Sequence, residues 1–285
     1  NGIIGFSELL LDSRLSTTQK DQLTTIHNSA NNLLTIINDI LDFSKIEAGK
    51  LELHPEPTHL RKQIEGTLSL LSPLALTKHI ELSLLIYPDV PEIISIDPVR
   101  LSQITTNLLS NAIKFTEGGC ITIKVEIENE NNNMLLFSIA DTGVGMTPQT
   151  QKLLFEAFAQ GDTSASRRHA GTGLGLSITK RLVNKMQGNI VFTSEINLGT
   201  TFTFTIQYEP VQTTTAPLDD LSTVHALVIE PLPSTRISLL QSLESRGATV
   251  TAIANIEEIE HITAEPKINI ILVNISYEEL DSSAK

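Results

Sequence analysis

The chain of 285 residues is 40% hydrophobic and carries 20 Lys and Arg against 33 Asp and Glu, a formal net charge of −13. That length holds two or three domains with real cores, and the acidic balance excludes a surface built for nucleic acid, which needs clustered cations. An anionic ligand would have to be held by local devices: a hard cation, a helix N-terminus, a few placed Lys or Arg. Cys120 has no second cysteine to pair with, so no intrachain disulfide forms and a reducing compartment fits. No apolar run reaches the length of a membrane span. There is no initiator Met or signal-peptide pattern, and Asn1 opens directly into a helical pattern. We expect a piece of a longer protein whose sensor or membrane part lies upstream.

In chain order, residues 1–11 form a short apolar-rich helix and 12–16 a loop. Ser16, with Gln19 three residues on, has the form of a capping box opening a second helix. Along it Leu23, Ile26, Ala30, Leu33, Ile37 and Ile40 recur at steps of three and four, the seam of a coiled coil. Leu34, Ile36, Leu41 and Phe43 widen the apolar face, as in a four-helix bundle. Two helices make half a bundle, so a second copy of the chain would complete it. An ordinary helical hairpin packed on its own domain would leave the seam unexplained.

Residues 51–58, with Pro55 and Pro57, are expected to be a linker. Then come a helix (60–78), a strand (80–86), a helix (98–114), a strand (120–127), a polar turn (129–133) and a returning strand (134–140). Helices near 147–155 and 174–186 and strands near 189–193 and 201–206 close the unit. This is an α+β sandwich. Residues 208–222, rich in Thr and Pro, predict a second linker. Residues 224–230 predict a strand and Ser234 the cap of a helix to Arg246, with Gly247 past its end. Further strands near 249–254 and 268–274 give the opening of a βαβ domain.

Four clusters in the middle domain point to a nucleotide. Asn107, Asn111 and Lys114, four and three apart, share one helix face, while Leu101, Thr105, Leu108 and Ala112 form another. Two carboxamides and an ammonium suit a magnesium-bound phosphate chain, although exposed Asn and Lys are commonly just solvated. Asp141-Thr142-Gly143-Val144-Gly145 follows an apolar strand. A carboxylate at a strand end can accept from an exocyclic amine such as that of adenine, and glycines let backbone approach a flat ligand. A plain tight turn is the bland alternative. Phe155 and Phe158 stand at helical spacing, as core aromatics do. Gly171-Thr172-Gly173-Leu174-Gly175 opens a helix and can offer backbone N–H groups to phosphate. Arg167, Arg168 and His169 just before it could reach the terminal phosphate.

The order and spacing of these clusters resemble the N, G1, F and G2 boxes of histidine kinases, in the Bergerat or GHKL ATP-binding fold. Asn107-Leu108-Leu109-Ser110-Asn111-Ala112-Ile113-Lys114-Phe115-Thr116 is close to the family form. Asn1-Gly2-Ile3-Ile4-Gly5-Phe6 resembles the run after the H-box, and Asp42 to Gly49 the end of the dimerisation hairpin. The layout resembles hybrid sensor kinases of the BarA/GacS type. The resemblance implies a dimeric hairpin (1–54), an ATP-binding domain (55–208), a linker (209–223) and a receiver-like domain (224–285). It also implies ATP and Mg2+ as ligands. Asn111 would ligate magnesium, with Asn107 beside it, and Lys114 would contact phosphate. Asp141 would bind the adenine amino group near Thr201, and Gly143 and Gly145 would make room for the base. Gly171, Thr172, Gly173, Leu174 and Gly175, with Arg168, would form a lid over the phosphates anchored by Phe155 and Phe158. Expected partners are a second copy of the chain and a response regulator or downstream receiver and phosphotransfer domains. The expected location is the cytoplasmic part of an inner-membrane sensor.

The resemblance fails at two places. The family's phosphoacceptor histidine would precede Asn1, and His27 and His54 fit that role poorly. In the last domain Glu230-Pro231 stands where receivers carry an acidic pair, and Asn274 where they carry the phosphorylated Asp. An amide is a poor nucleophile, so this domain is expected to act by contact. Two rival readings remain. A GHKL hydrolase needs a Glu base where Asn107 stands, and a carboxamide is no base. A pseudokinase scaffold would not need complete N, G1 and G2 boxes.

Overall fold

The computed structural model describes residues 2–129, 133–158, 173–211, 220–261 and 267–274. The chain divides into two units, one of Asn1–Glu52 with Lys152–Arg181 and one of Leu53–Gln151 with Leu182–Lys285.

The first unit is led by a helical hairpin. Helix α1 (Gly2–Leu11) and α2 (Thr17–Glu47) pack together. The capping box forms as expected: Ser16 Oγ accepts from Gln19 N at 3.4 Å, and Ser16 N donates to Gln19 Oε1 at 3.0 Å. Ser7 is buried, its Oγ donating to Ile4 O at 2.8 Å and lying 2.9 Å from His27 Nδ1. The hairpin does not cover its own seam. Ile26, Leu33, Ile37 and Ile40 are exposed, while Leu23 and Ala30 are half-buried.

The second unit is built on a five-stranded sheet in the order β2-β4-β5-β7-β6. Its strands are β2 (Ile80–Ile86), β4 (Gly119–Asn129), β5 (Met134–Asp141), β6 (Ile190–Glu195) and β7 (Gly199–Gln207). The β2–β4 pair is parallel and the rest are antiparallel. Period-two alternation sends Leu135, Phe137 and Ile139 of β5 and Phe202, Phe204 and Ile206 of β7 to one buried face, where the Phe137 and Phe204 rings stack at 4.7 Å. Helices α3 (Leu60–Thr77) and α4 (Pro98–Phe115) cover that face, and the short helix α5 (Pro148–Leu153) comes after β5 in the chain. Helices α3 and α4 contribute Leu60, Ile64 and Leu71, and Leu101, Ile104, Leu108 and Leu109, all buried.

Three expectations need correction. The linker at 51–58 ends in a strand, β1 (Glu56–His59), which pairs with β3 (Ile93–Ile96), a strand the sequence did not show. The supposed second linker begins with β8 (Glu209–Pro210) on the other side of β3. These strands are two to four residues long and two contain proline, too little for a period-two signal. Pro57 and Pro210 sit on the outer strands of the order β1-β3-β8, where a missing N–H costs no central ladder bond. Finally, helix α7 (Pro233–Glu244) starts with Leu232 as its N-cap and Pro233 in its first turn, so Ser234 lies inside the helix rather than capping it.

The C-terminal module has the expected βαβ form. Strand β9 (His225–Ile229) is central, flanked in parallel by β10 (Thr249–Ile253) and β11 (Ile270–Val273). Helix α7 packs on β9 and β10 and also reaches β2, the edge strand of the larger sheet. There Ser238 Oγ donates to Leu84 O at 2.9 Å and Thr235 Oγ1 to Ser83 Oγ at 3.2 Å. Glu230 is 2% exposed. Its Oε1 accepts from Leu232 N and its Oε2 from Asn274 Nδ2, each at 2.9 Å.

Candidate nucleotide site

Helix α4 is held at both ends. At its start Asp97, buried, accepts from Arg100 N through Oδ1 at 3.0 Å and from His54 N through Oδ2 at 2.9 Å, a charge-favoured N-cap. At its end the Lys78 ammonium donates to the carbonyls of Ile113, Lys114 and Thr116 at 2.9, 3.0 and 3.0 Å. Between these anchors the apolar row is buried against the sheet, and Asn107, Asn111 and Lys114 are half-buried. Burial pushes the Lys114 ammonium below the usual lysine range, and its Nζ stands 5.1 Å over the Phe115 ring.

The loop after β5 is fastened to the end of that helix. Val144 N donates to Phe115 O at 3.2 Å, and Asn197 N to Val144 O at 2.9 Å. A Cβ on Gly143 would fall 2.4 Å from Phe115 O and 2.9 Å from both Asp141 Oδ1 and Thr116 Oγ1, so no side chain fits. Gly145 has φ +65°, and a Cβ there would fall 2.0 Å from Glu195 O. Its glycine is therefore required by backbone contact with the end of β6.

Asp141 ends β5 on the helix-covered face. Its Oδ1 accepts from Gly143 N at 2.9 Å and Thr200 N at 3.2 Å. Burial pushes this carboxyl above the usual carboxylate range, while those two N–H groups pull the other way. With Oδ1 engaged twice, Oδ2 is the acceptor left for a donor on a ligand. The strand residue beside Asp141 is Thr200. Thr201 lies opposite Ala140, one position along, and so leaves the sheet on the other face.

In the first unit Phe158 N donates to Gly173 O at 3.1 Å. Both Phe158 and Gly173 have positive φ, 65° and 69°. Phe158 is 66% exposed and meets the Phe43 ring edge-on at 6.3 Å, and the Lys180 ammonium lies 5.0 Å over Phe155. Leu174 is buried and accepts from Ile178 N, and Gly175 begins helix α6 (Gly175–Lys185). Arg167, Arg168, His169, Gly171 and Thr172 lie outside the described residues.

Residues 96–210 match the histidine kinase-, DNA gyrase B-, and HSP90-like ATPase family, and residues 1–49 match the His Kinase A (phospho-acceptor) domain. The chain belongs to the histidine kinases. It is 52% identical over 211 residues to the signal transduction histidine-protein kinase BarA of Escherichia coli strain K12, covering 73% of this chain and 23% of that protein. With the sensor protein GacS of Pseudomonas syringae pv. syringae it shares 44% over 266 residues, 91% of this chain and 29% of that one. This histidine kinase chain thus spans less than a third of the length of these curated relatives. The structure of full-length ShkA in complex with AMPPNP superposes with a TM-score of 0.75 at 27% identity, covering 98% of this kinase chain and 62% of that one.

The sequence reading did not single out Thr200, Asp97 or Lys78. Asp97 could have been found as an acidic N-cap before Pro98. Lys78 could not, because its partners are 35 residues and more away. Among the described residues no three His, Cys, Asp or Glu side chains gather into a metal cage. A hard cation here would need carboxamide and phosphate oxygens with water, a ligand set that suits magnesium. No helix among the described residues is long and apolar enough to cross a membrane.

Proposed function

We propose that this chain is the kinase core of a two-component phosphorelay sensor, moving the γ-phosphoryl group of ATP to a histidine on a dimeric hairpin. The imidazole nitrogen attacks the γ-phosphorus, the bond to the bridging oxygen breaks, and ADP leaves. The observation that carries this reading is Asp141, a half-buried carboxylate held by two backbone N–H groups on a loop fastened to the end of the Asn107–Lys114 helix. Its Oδ2 accepts from the adenine amine, and Gly143 and Gly145 keep the loop thin there. Asn111 holds magnesium, Asn107 supports it, and Lys114 contacts phosphate. The metal supplies charge neutralisation along the phosphates. Phe155, Phe158 and the residues 171–175 with Arg168 form the lid. Thr201 takes no part in base recognition, and Thr200 holds Asp141 in its place.

The proposed domains are a hairpin at 1–54, an ATP-binding domain at 55–208, a linker at 209–223 and a receiver-like module from 224. The exposed seam of α2 dimerises with a second copy, and the phosphoryl group passes on to an aspartate of a response regulator, from which the same kinase can remove it. The chain lies on the cytoplasmic side of a membrane-anchored sensor. Hydrolysis of the gyrase or HSP90 type is disfavoured because Asn107 offers no general base. Titration calorimetry with ATP and Mg2+ tests the reading. Tight binding by the wild type that is lost in Asp141→Ala supports it, and equal binding by both refutes the place given to Asp141.

A further inference from the structure

Helix α4 carries the proposed phosphate and metal ligands, yet it lacks the usual means of ending a helix. Its C-cap is Thr116 in an extended conformation, not a left-handed glycine that would fold the chain back onto the last carbonyls. The last-turn carbonyls are instead met by Lys78, which follows α3 in the sequence. The backbone N–H of Lys78 closes its own helix by donating to Ala75 O at 3.1 Å, and its ammonium spends all three protons on Ile113, Lys114 and Thr116. One residue therefore ends two helices. Its Nζ is also 4.0 Å from Glu117 Oε1, but Glu117 is largely exposed, so that pairing contributes little beside the three carbonyl bonds.

The same stretch of α4 supports the Asp141 loop. Phe115 O, between two of the carbonyls that Lys78 holds, accepts from Val144 N, and it crowds the space over Gly143 together with Asp141 Oδ1 and Thr116 Oγ1. The negative end of a helix thus stands close to a carboxylate already penalised by burial. A cation on the far side of those carbonyls both fixes their position and offsets their partial charge.

We propose that Lys78 is a positioning residue of the nucleotide site: its ammonium sets the end of α4, and through it the Val144–Gly143–Asp141 loop that receives the base. This rests on the nucleotide-binding reading above. Lys78 touches no ligand. It acts through backbone carbonyls, so its effect follows the number of donors it offers. Lysine offers three N–H bonds and a charge, Lys78→Gln at most two without a charge, and Lys78→Met none with a stem of similar length.

The test measures ADP–Mg2+ affinity of the whole chain by calorimetry at a temperature where every variant is folded by circular dichroism. Amide hydrogen exchange at Val144 and at the Leu101–Thr105 turn of α4 is followed in parallel. We expect Lys78→Met to bind roughly tenfold more weakly, the worth of about one charge-assisted hydrogen bond, and Lys78→Gln to fall between it and the wild type. Glu117→Gln should match the wild type. Val144 should lose protection in Lys78→Met while the Leu101–Thr105 turn keeps its own. A lower melting temperature with unchanged affinity and unchanged Val144 protection would reduce Lys78 to a plain helix cap and overturn the proposal. If Lys78→Met does not fold, Lys78→Gln decides alone by the same two readouts. A wild type that binds no nucleotide would instead overturn the function proposed for the domain, a result distinct from either.

Discussion

Replacing Asp141 by asparagine alters one heavy atom and should reverse the hydrogen-bond polarity of the proposed base pocket. Gly143 N and Thr200 N both point at Oδ1, at 2.9 and 3.2 Å. Two donors there demand an oxygen, so the amide of Asp141→Asn must set its oxygen in that place and its NH2 where Oδ2 was. The adenine amine then meets a donor instead of a charged acceptor. Losing a hydrogen bond to a charged group costs about 1.5–3 kcal/mol, so ATP affinity should fall roughly ten- to hundredfold. A 6-oxo base presents an acceptor at that position, so ITP should lose far less and overtake ATP. The unliganded fold should not suffer. Burial raises the Asp141 carboxyl in the folded chain, so the native state binds its proton more tightly than the unfolded state does. The ionised group therefore costs stability above its folded pKa, and that cost is relieved as pH falls through it. A neutral amide carries no such cost at pH 7. Calorimetric titration of Mg2+–ATP and Mg2+–ITP, with a thermal melt at pH 7, checks both halves. Unchanged ATP affinity, or equal losses for both nucleotides with a lowered melt, would refute the argument.

Two more predictions come from the hairpin and the C-terminal module. Because Leu33 and Ile37 are exposed on α2, Leu33→Glu with Ile37→Glu should leave helix content intact and turn a dimer into a monomer by light scattering; a double variant that stays dimeric would place the interface elsewhere. Because Asn274 stands at the proposed acceptor position and donates to the Glu230 carboxylate, acetyl phosphate with Mg2+ should add no phosphoryl mass to the wild-type chain, and a mass shift that survives Asn274→Ala would show that another carboxylate is the acceptor.

The long periodic elements were readable because each shows its period many times. The strand at Ile80–Ile86 has the expected bounds, and helix α4 runs one residue beyond its expected end. The capping box of Ser16 and Gln19 is local chemistry and also formed as read. Short strands failed for the opposite reason: β1, β3 and β8 are defined by pairing across 30 residues and more, not by any pattern of their own. At the proposed nucleotide site, residue types alone singled out Asp141 and Gly143. The choice between Thr200 and Thr201 depended on strand register, which one chain read linearly does not contain. Lys78 is the extreme case, a lysine that looks like any surface cation until the end of a distant helix is brought to it.

The contact of α7 with β2 bears on how the catalytic sheet stays solitary. An outermost strand offers unpaired backbone groups to any passing strand of another molecule. Here Ser238 already occupies the Leu84 carbonyl, and Thr235 stands beside it on Ser83. The chain thus blocks strand addition with a helix drawn from its C-terminal βαβ module. This guarding role depends only on two hydroxyls and the shape of one helix, so it needs no acidic residue of that module.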